Sequence, residues 1–529
     1  VELTELIAAL AEPAAYPARI DLIDVRQTHI SVVFLAGDHV YKIKKPVRLG
    51  FLDFSTLELR RHFCEEEVRL NARLAAEVYL GVVPVARSGH HLRFEAAGDP
   101  IEWAVKMRRL PDDATLESHL RRGEISAARL ASLAEKLADF HAEAERSEHI
   151  AEFGRYETVA ANARGNFEQS RAQIGETISP AVFARLERAT DSTLEDLRSL
   201  IESRAKRGVP CDTHGDLRVD HVYFLGDAPE QAEHTVIIDC IEFNEAYRYS
   251  DPVADMAFLT MDLKFAGERR LANAFAEAYF QASSDAEGSR LLAFYTAYRA
   301  AVRGKVEGLK QAEPEVPAAD RAAARERARG YWLLALGELE PPQRRPGVVL
   351  VGGLPGSGKS TLAAALAEQG GFTVIRSDVV RKELAAVKSS RGTQPFGTGL
   401  YTAEWNDRTY VECLGRAEAL LFAGERVIID ASFREDARRR DFLAAAARWR
   451  VPIVFLHCQA DREIIHQRLA QRKGDASDAD WSIYEAAAEA WEEPSAATEA
   501  ILSNVDSGGS LQQALATAEL ALRTAHLVR

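Results

Sequence analysis

Cysteine is scarce. Cys64, Cys211, Cys240, Cys413 and Cys458 are the only five in 529 residues, and no two of them form a C-x-x-C pair. That excludes a zinc-ribbon or dithiol redox signature and a disulfide-stapled scaffold. A chain this long buries a core without either. Positive charge is in deficit as well. Lys and Arg number 66 against 80 Asp and Glu, for a net charge of −14, which excludes a globally basic nucleic-acid binder but leaves a local basic groove open. Long apolar runs are missing: no stretch approaches 18 residues, and the first residues show no basic segment leading into an apolar one. No membrane-spanning or secretory segment is therefore expected, and with scattered thiols the expected location is the cytoplasm. The remaining composition, 47% hydrophobic and 28% charged, is that of a globular chain of about three to four domain-sized pieces.

Punctuation is strongest at Gly337–Pro346, where three prolines and a charge cluster disfavour helix and central strand. The apolar run Val348–Val351 follows at once, as in a buried parallel strand. A domain boundary is placed near 345, with domains over 1–335 and 347–529 and a linker over 336–346. Upstream, Ser31–Ala36 and His39–Lys44 read as two strands joined by a Gly37-Asp38 turn. Alternation puts Val40, Lys42 and Lys44 on one face and Tyr41 and Ile43 on the other. Residues 55–77 read as a helix with Ser55 as N-cap and Glu58 completing a capping box. Further strands are expected at 101–107 and 236–239, and helices over 125–205 and 251–335. Strands first and helices after suggest a small β-rich lobe followed by a helical one. Downstream, strands at 348–351, 372–376, 427–430 and 451–457 alternate with helices such as 359–369 and 435–448, which implies a doubly wound parallel sheet.

Gly353-Leu-Pro-Gly356-Ser357-Gly358-Lys359-Ser360 fits G-x-x-x-x-G-K-[ST] between a strand-like run and the helix-forming run that starts at Thr361. Glycines let backbone N–H groups turn inward around a phosphate, and the helix N-terminus adds partial positive charge. Lys359 is the candidate for the β- and γ-phosphates and Ser360 for Mg²⁺. Asp378 and Arg381 follow the second strand, where α/β proteins bind ligands. Asp378 is a candidate acceptor of a proton from an attacking hydroxyl, and Arg381 a candidate either to hold an anionic group or to orient Asp378; the alternative is a capping aspartate beside a surface arginine. Asp430 ends an apolar strand and is a candidate indirect Mg²⁺ ligand, or else a turn residue. Arg468 and Arg472, four apart on a helix, either close over a transferring phosphoryl group or form a solvated basic face. Residues 347–500 resemble the small P-loop kinase superfamily of gluconate-kinase-like, zeta-toxin-like and polynucleotide-kinase-like enzymes. The resemblance implies ATP as donor and an Asp-x-x-Arg acid that binds or deprotonates the acceptor hydroxyl. It does not name the acceptor.

A second constellation lies upstream. His214-Gly215-Asp216 precedes a β-like run, and 23 residues on, Ile237-Ile238-Asp239 ends a strand with another carboxylate. Asp216 is the candidate base and Asp239 the candidate Mg²⁺ ligand, a spacing like that of the kinase catalytic-loop and metal aspartates. Residues 20–330 resemble the aminoglycoside-phosphotransferase-like kinases, and the tandem order resembles a bacterial branch in which such a domain precedes a P-loop kinase. The resemblance implies that Lys42, with Lys44 as runner-up, holds the α/β-phosphates, and that Glu67 pairs with that lysine, Glu65 and Glu66 being alternatives. It also implies that Asp251 and Asp255 buttress the helical lobe. The alternative for both lysines is a basic edge strand. One departure is plain: His221 stands where the family carries a metal-binding Asn, five positions after Asp216. Imidazole suits Mg²⁺ less well than oxygen ligands, and the neighbouring Asp220 is a possible substitute. No G-x-G-x-x-G loop occurs over 25–40.

The expected fold is thus an α+β bilobal protein-kinase-like domain followed by an α/β P-loop NTPase domain. The expected activity is a bifunctional ATP- and Mg²⁺-dependent phosphotransferase acting on hydroxyls of small molecules. The rival readings are a P-loop kinase regulated by its N-terminal domain and a nucleic-acid 5′-hydroxyl kinase using the basic stretch Arg434–Arg440. No oligomeric state is implied. Acceptor choice is expected to reside in loops such as Lys388–Tyr401.

Overall fold

The hairpin expected at Gly37-Asp38 forms. In the computed structural model, which describes residues 1–226, 234–385, 402–471 and 480–529, Ser31–Ala36 pairs antiparallel with His39–Lys44. The chain separates into two compact units, Val1–Ala161 with Asp196–Thr296, and Asn162–Glu195 with Ala297–Arg529.

In the first unit a six-stranded antiparallel sheet runs in the order Ile23–Gln27, Ser31–Ala36, His39–Lys44, Glu102–Arg108, Tyr79–Ser88, His91–Phe94. His39–Lys44 is central, so the basic edge-strand alternative falls. Its period-2 alternation sends Tyr41 and Ile43 into a core with Phe34, Phe94 and the helix Leu3–Leu10. Val40 goes to the opposite face, where Cys64 and Ala75 of the helix Leu57–Ala75 pack on Val105 and Met107. That helix is held by a buried stripe, Arg60, Cys64, Glu67, Asn71 and Leu74, at three- and four-residue spacing. Its N-cap is Thr56, whose side chain accepts from the Leu59 amide; Ser55 instead bonds Asp53. The sequence pattern missed by one position because Ser55 and Thr56 are both good caps. The helical part includes Ala127–Glu143, Pro252–Phe265 and Arg269–Ser283. The strand expected at 236–239 covers only Thr235–Ile237, which pairs antiparallel with Val222–Phe224.

In the second unit five strands, all parallel, run in the order Thr373–Arg376, Arg426–Asp430, Gly347–Gly352, Ile453–Gln459, Leu502–Asp506. The fifth was not foreseen; its sequence, Leu-Ser-Asn-Val-Asp, is too polar to stand out. Helices Lys359–Gly370 and Leu511–Thr524 bury Leu362, Leu366, Ala514 and Leu522 on one face. Asp436–Trp449 brings Phe442 against Phe433 on the other. The sheet is doubly wound. The expected break at Gly337 does not occur: the helix Ala318–Leu339 runs through it, and irregular chain begins at Glu340. Arg185 pairs with Glu340 and donates to the Gly424 carbonyl at 2.6 Å, so Asn162–Glu195 is fastened to this unit. Arg472 and the loop Lys388–Tyr401 lie outside the described residues.

Candidate active sites

In the first unit, five charged side chains meet where His39–Lys44, Leu57–Ala75 and the loop after Thr235–Ile237 converge. Lys42 Nζ lies 2.9 Å from both Glu67 Oε1 and Asp239 Oδ1. Lys44 Nζ lies 2.7 Å from Glu67 Oε2 and pairs with Glu242. Glu67 is fully buried, with Lys44 and Glu242 nearly so. Glu67 therefore bridges two lysines, while Glu65 and Glu66 are taken up by Arg61 and Arg69 near the surface. Charges this buried persist only when paired. Lys42 holds the Asp239 carboxyl far below its ordinary range, whereas burial pushes Glu242 upward against the pull of Lys44. Asp239 has φ +64, and its amide donates to the Tyr79 hydroxyl at 3.2 Å.

The His-Gly-Asp turn is fixed from below. Asp255, fully buried, accepts from the amides of His214 (3.0 Å) and Gly215 (2.9 Å) and from His141 Nε2 (3.1 Å). Asp255 thus fastens the turn itself, while Asp251 caps Pro252–Phe265 and holds the buried Arg204. His214 donates to the Ile238 carbonyl and accepts from the Asp216 amide. Burial lowers its pKa to about 4, so it is neutral at pH 7. Gly215 has φ +83, and a Cβ there would stand 2.8 Å from the Tyr247 carbonyl oxygen. His221 sits between the two candidate acids: Nδ1 is 2.9 Å from the Asp216 carbonyl and 3.7 Å from Asp216 Oδ2, and Nε2 is 3.7 Å from Asp239 Oδ2. A carbonyl only accepts, so Nδ1 carries a proton, and in the neutral ring the Nε2 lone pair faces Asp239. Asp220 is engaged by Arg218 at 2.8 Å.

In the second unit, Gly353 (φ +142), Gly356 (φ +79) and Gly358 (φ +90) wind the loop ahead of the helix Lys359–Gly370. A Cβ at Gly353 would stand 2.5 Å from the Cys458 carbonyl oxygen, so only glycine fits. Ser357 is fully buried at the loop's base. Ser360, Thr361 and Arg468 line one cleft with Lys359. The Arg468 guanidinium donates to the Ser507 carbonyl at 2.7 Å. On the other side of Lys359, a second cleft holds Asp378, Arg381 and Asp430. Arg381 is 2.8 Å from Asp378 Oδ1 and donates to Asn406 Oδ1 at 3.0 Å. Asp378 is not a cap: the N-cap of Ser377–Leu384 is Arg376, without a side-chain bond. Asp430 ends its strand nearly buried, with Oδ2 3.3 Å from Arg376 and Oδ1 lacking a hydrogen-bond partner. Burial raises its pKa, opposed by Lys359 and Ser360. The basic stretch is not one surface: Arg439 is buried, and Arg434 and Arg438 line the second cleft.

Residues 53–294 match the phosphotransferase enzyme family, and residues 348–494 match an AAA domain. An uncharacterized protein of Mycobacterium tuberculosis (strain ATCC 25618 / H37Rv) is 36% identical over 462 residues, covering 86% of this chain and 88% of that one. The chain belongs to the same family as this mycobacterial protein, and its residues 53–294 form a domain of the phosphotransferase enzyme family. It is an ATP-dependent kinase with a P-loop kinase domain following the phosphotransferase domain. Among solved structures, the chain is similar to aminoglycoside 2′-phosphotransferase-IIIa in its GDP complex, at 13% identity and TM-score 0.39, covering 62% of this chain and 98% of that one. It is also similar to a sugar kinase from Janibacter sp. HTCC2649, at 20% identity and TM-score 0.28, covering 35% and 99%. Among the described residues, no helix is long and apolar enough to cross a membrane, and no group of three or more His, Cys, Asp or Glu is arranged to hold a metal ion. Sequence reasoning assigned no role to Glu242, although Lys44, two positions from Lys42 on the same strand face, called for a second acid.

Proposed function

We propose that the chain is a bifunctional kinase: each unit transfers the γ-phosphoryl group of ATP to a hydroxyl of a small molecule. The observation that carries this is the pairing, in each unit, of a phosphate-seeking lysine with two separate carboxylates. Phosphoryl transfer depends on positioning and charge neutralisation more than on covalent chemistry, and those are what such a set supplies.

In the P-loop site, Lys359 and the loop amides draw the phosphates. Asp378, steadied by Arg381, accepts the proton of the attacking hydroxyl as its oxygen bonds phosphorus and the bond to the ADP oxygen breaks. Asp430 and Ser360 suit Mg²⁺: an orphaned buried carboxylate oxygen beside a hydroxyl is the sparse protein donor set this ion takes when phosphates complete its shell. In the other site Lys42 draws phosphates while Glu67 keeps it oriented, Asp216 accepts the hydroxyl proton, and Asp239 with His221 fits the metal. Lys42 now pairs with Asp239, and its ammonium stands where a cation would. Mg²⁺, when bound, would neutralise phosphate charge at both sites. Five buried free thiols support a reducing, cytoplasmic setting.

The test is ATP turnover by the full chain against a pool of sugars, nucleosides, aminoglycosides and 5′-hydroxyl oligonucleotides. Asp216→Ala and Lys359→Ala should each abolish phosphorylation of a different acceptor. Bifunctionality fails if one substitution abolishes all transfer and the other none; the assignment of the P-loop site fails if Lys359→Ala changes nothing.

A further inference from the structure

We propose that the Asp216 site binds its divalent ion through His221 Nε2 as well as Asp239, and so selects a transition-metal ion over Mg²⁺. This rests on the kinase reading of that site and goes beyond it in naming the class of ion. His221 Nδ1 lies 2.9 Å from the Asp216 carbonyl oxygen. That bond fixes the tautomer and the ring orientation and leaves a lone pair on Nε2. Histidines that ligate metals are held in this way, the other ring nitrogen donating to a carbonyl or a carboxylate. Nε2 faces Asp239 Oδ2 at 3.7 Å, while Lys42 takes the other oxygen, Oδ1, at 2.9 Å. At 3.7 Å the ring and the carboxylate share no hydrogen bond. In the neutral ring they are two acceptors turned toward one another, an arrangement that a cation between them satisfies. Two ligand atoms at about 2.1 Å from one ion stand about 3 to 3.4 Å apart, close to the separation found.

The charges around the pair favour a cation. Asp216 Oδ2 lies 3.7 Å from Nδ1, and Glu67 stands 2.9 Å from Lys42 on the side away from Asp239 Oδ1. The Asp239 side chain is 46% exposed, so the pair opens to solvent. One imidazole and one carboxylate are too few to hold an ion alone, and phosphate oxygens complete the shell. Mg²⁺ prefers oxygen throughout, whereas imidazole suits transition-metal ions. No histidine is among the described residues that line the two P-loop clefts, where Asp430 and Ser360 offer oxygen only. The two sites should therefore differ in ion preference.

The experiment is electron spin-echo envelope modulation of Mn²⁺ bound to the full chain with AMPPCP, an ATP analogue without a bridging nitrogen. Lys359→Ala serves as the background, to weaken nucleotide binding at the phosphate loop. Nitrogen modulation is expected; it should change when histidine is labelled with ¹⁵N and disappear in His221→Asn. In competition with Mg²⁺, Lys359→Ala should prefer Mn²⁺ about tenfold or more strongly than Lys359→Ala with His221→Asn does. The proposal is overturned if nucleotide-bound Mn²⁺ shows no histidine nitrogen, if that nitrogen remains in His221→Asn, or if the two proteins share one ion preference. Should His221→Asn fail to fold, the ¹⁵N-labelled protein decides by itself. Calorimetry separates the two readings: no AMPPCP bound to Lys359→Ala overturns the kinase reading of this site together with the proposal, whereas nucleotide bound without histidine nitrogen overturns the proposal alone.

Discussion

Replacing Lys44 by methionine isolates the buried charge cluster of the first unit. Methionine keeps most of the apolar stem and removes the ammonium, which lies 5.0 Å from the centroid of the Phe54 ring. Lys42 still faces Glu67 at 2.9 Å, but Glu242, which pairs with Lys44, is left buried against a neutral side chain. Breaking a buried pair from one side costs about 3–5 kcal/mol. Protonation of Glu242 sets a limit on its share: taking a carboxyl of ordinary pKa 4.5 to its neutral form at pH 7 costs about 3 kcal/mol. The sign follows. In the variant, the folded-state pKa of Glu242 is raised above its unfolded value, so the neutral, tolerated form is reached as pH falls. The deficit should be about 3 kcal/mol at pH 7 and about 1–2 kcal/mol at pH 5.5. Hydrogen exchange of the His39–Lys44 and Leu57–Ala75 amides in the full chain, with wild type measured at each pH, reads this locally. Lys44→Met with Glu242→Gln should recover most of the loss. A single-variant deficit under about 1 kcal/mol at pH 7, or a double variant no better than the single, would refute the reasoning.

Gly215→Ala forces a Cβ into the Tyr247 carbonyl at a positive φ; a loss of about 2 kcal/mol or more is expected by thermal unfolding, with transfer by the Asp216 site falling too. His214, neutral and buried with its pKa lowered to about 4 from 6.5, should make stability fall by up to about 3 kcal/mol as pH drops from 6.5 to 4, since only the unfolded state takes up the proton there. Denaturant titrations across that range check it, and His214→Asn should flatten the slope. Asp430→Asn removes a charge disfavoured by burial, so the unfolding midpoint should hold or rise while P-loop turnover falls by about a hundredfold or more; unchanged turnover would remove Asp430 from the site.

The phosphate loop was legible because its constraint is local. Gly353, Gly356 and Gly358 are required by backbone conformation, and the candidate phosphate and metal ligands Lys359 and Ser360 follow directly after them. The His-Gly-Asp turn and the alternation through His39–Lys44 were legible for the same reason: each is a short-range pattern with one dominant physical cause. Even there, Ser55 and Thr56 could not be told apart as caps, because two adjacent hydroxyls satisfy the same rule.

By itself the sequence determined a small β lobe with following helices, a doubly wound P-loop sheet, and the chemical types available at each site. Only the tertiary structure decided which groups meet. Glu67 rather than Glu65 or Glu66 became the buried partner because helix periodicity turned it onto Lys42 and Lys44. Glu242 reached Lys44 across 198 residues, and Asp255, 40 residues past Gly215, reached the amide it holds. The limit at Glu340 rather than Gly337 was also decided in three dimensions, through packing of Ala318–Leu339. Local propensity is encoded in neighbouring residues, whereas charge pairing and burial depend on distances that exist only once the chain has closed on itself.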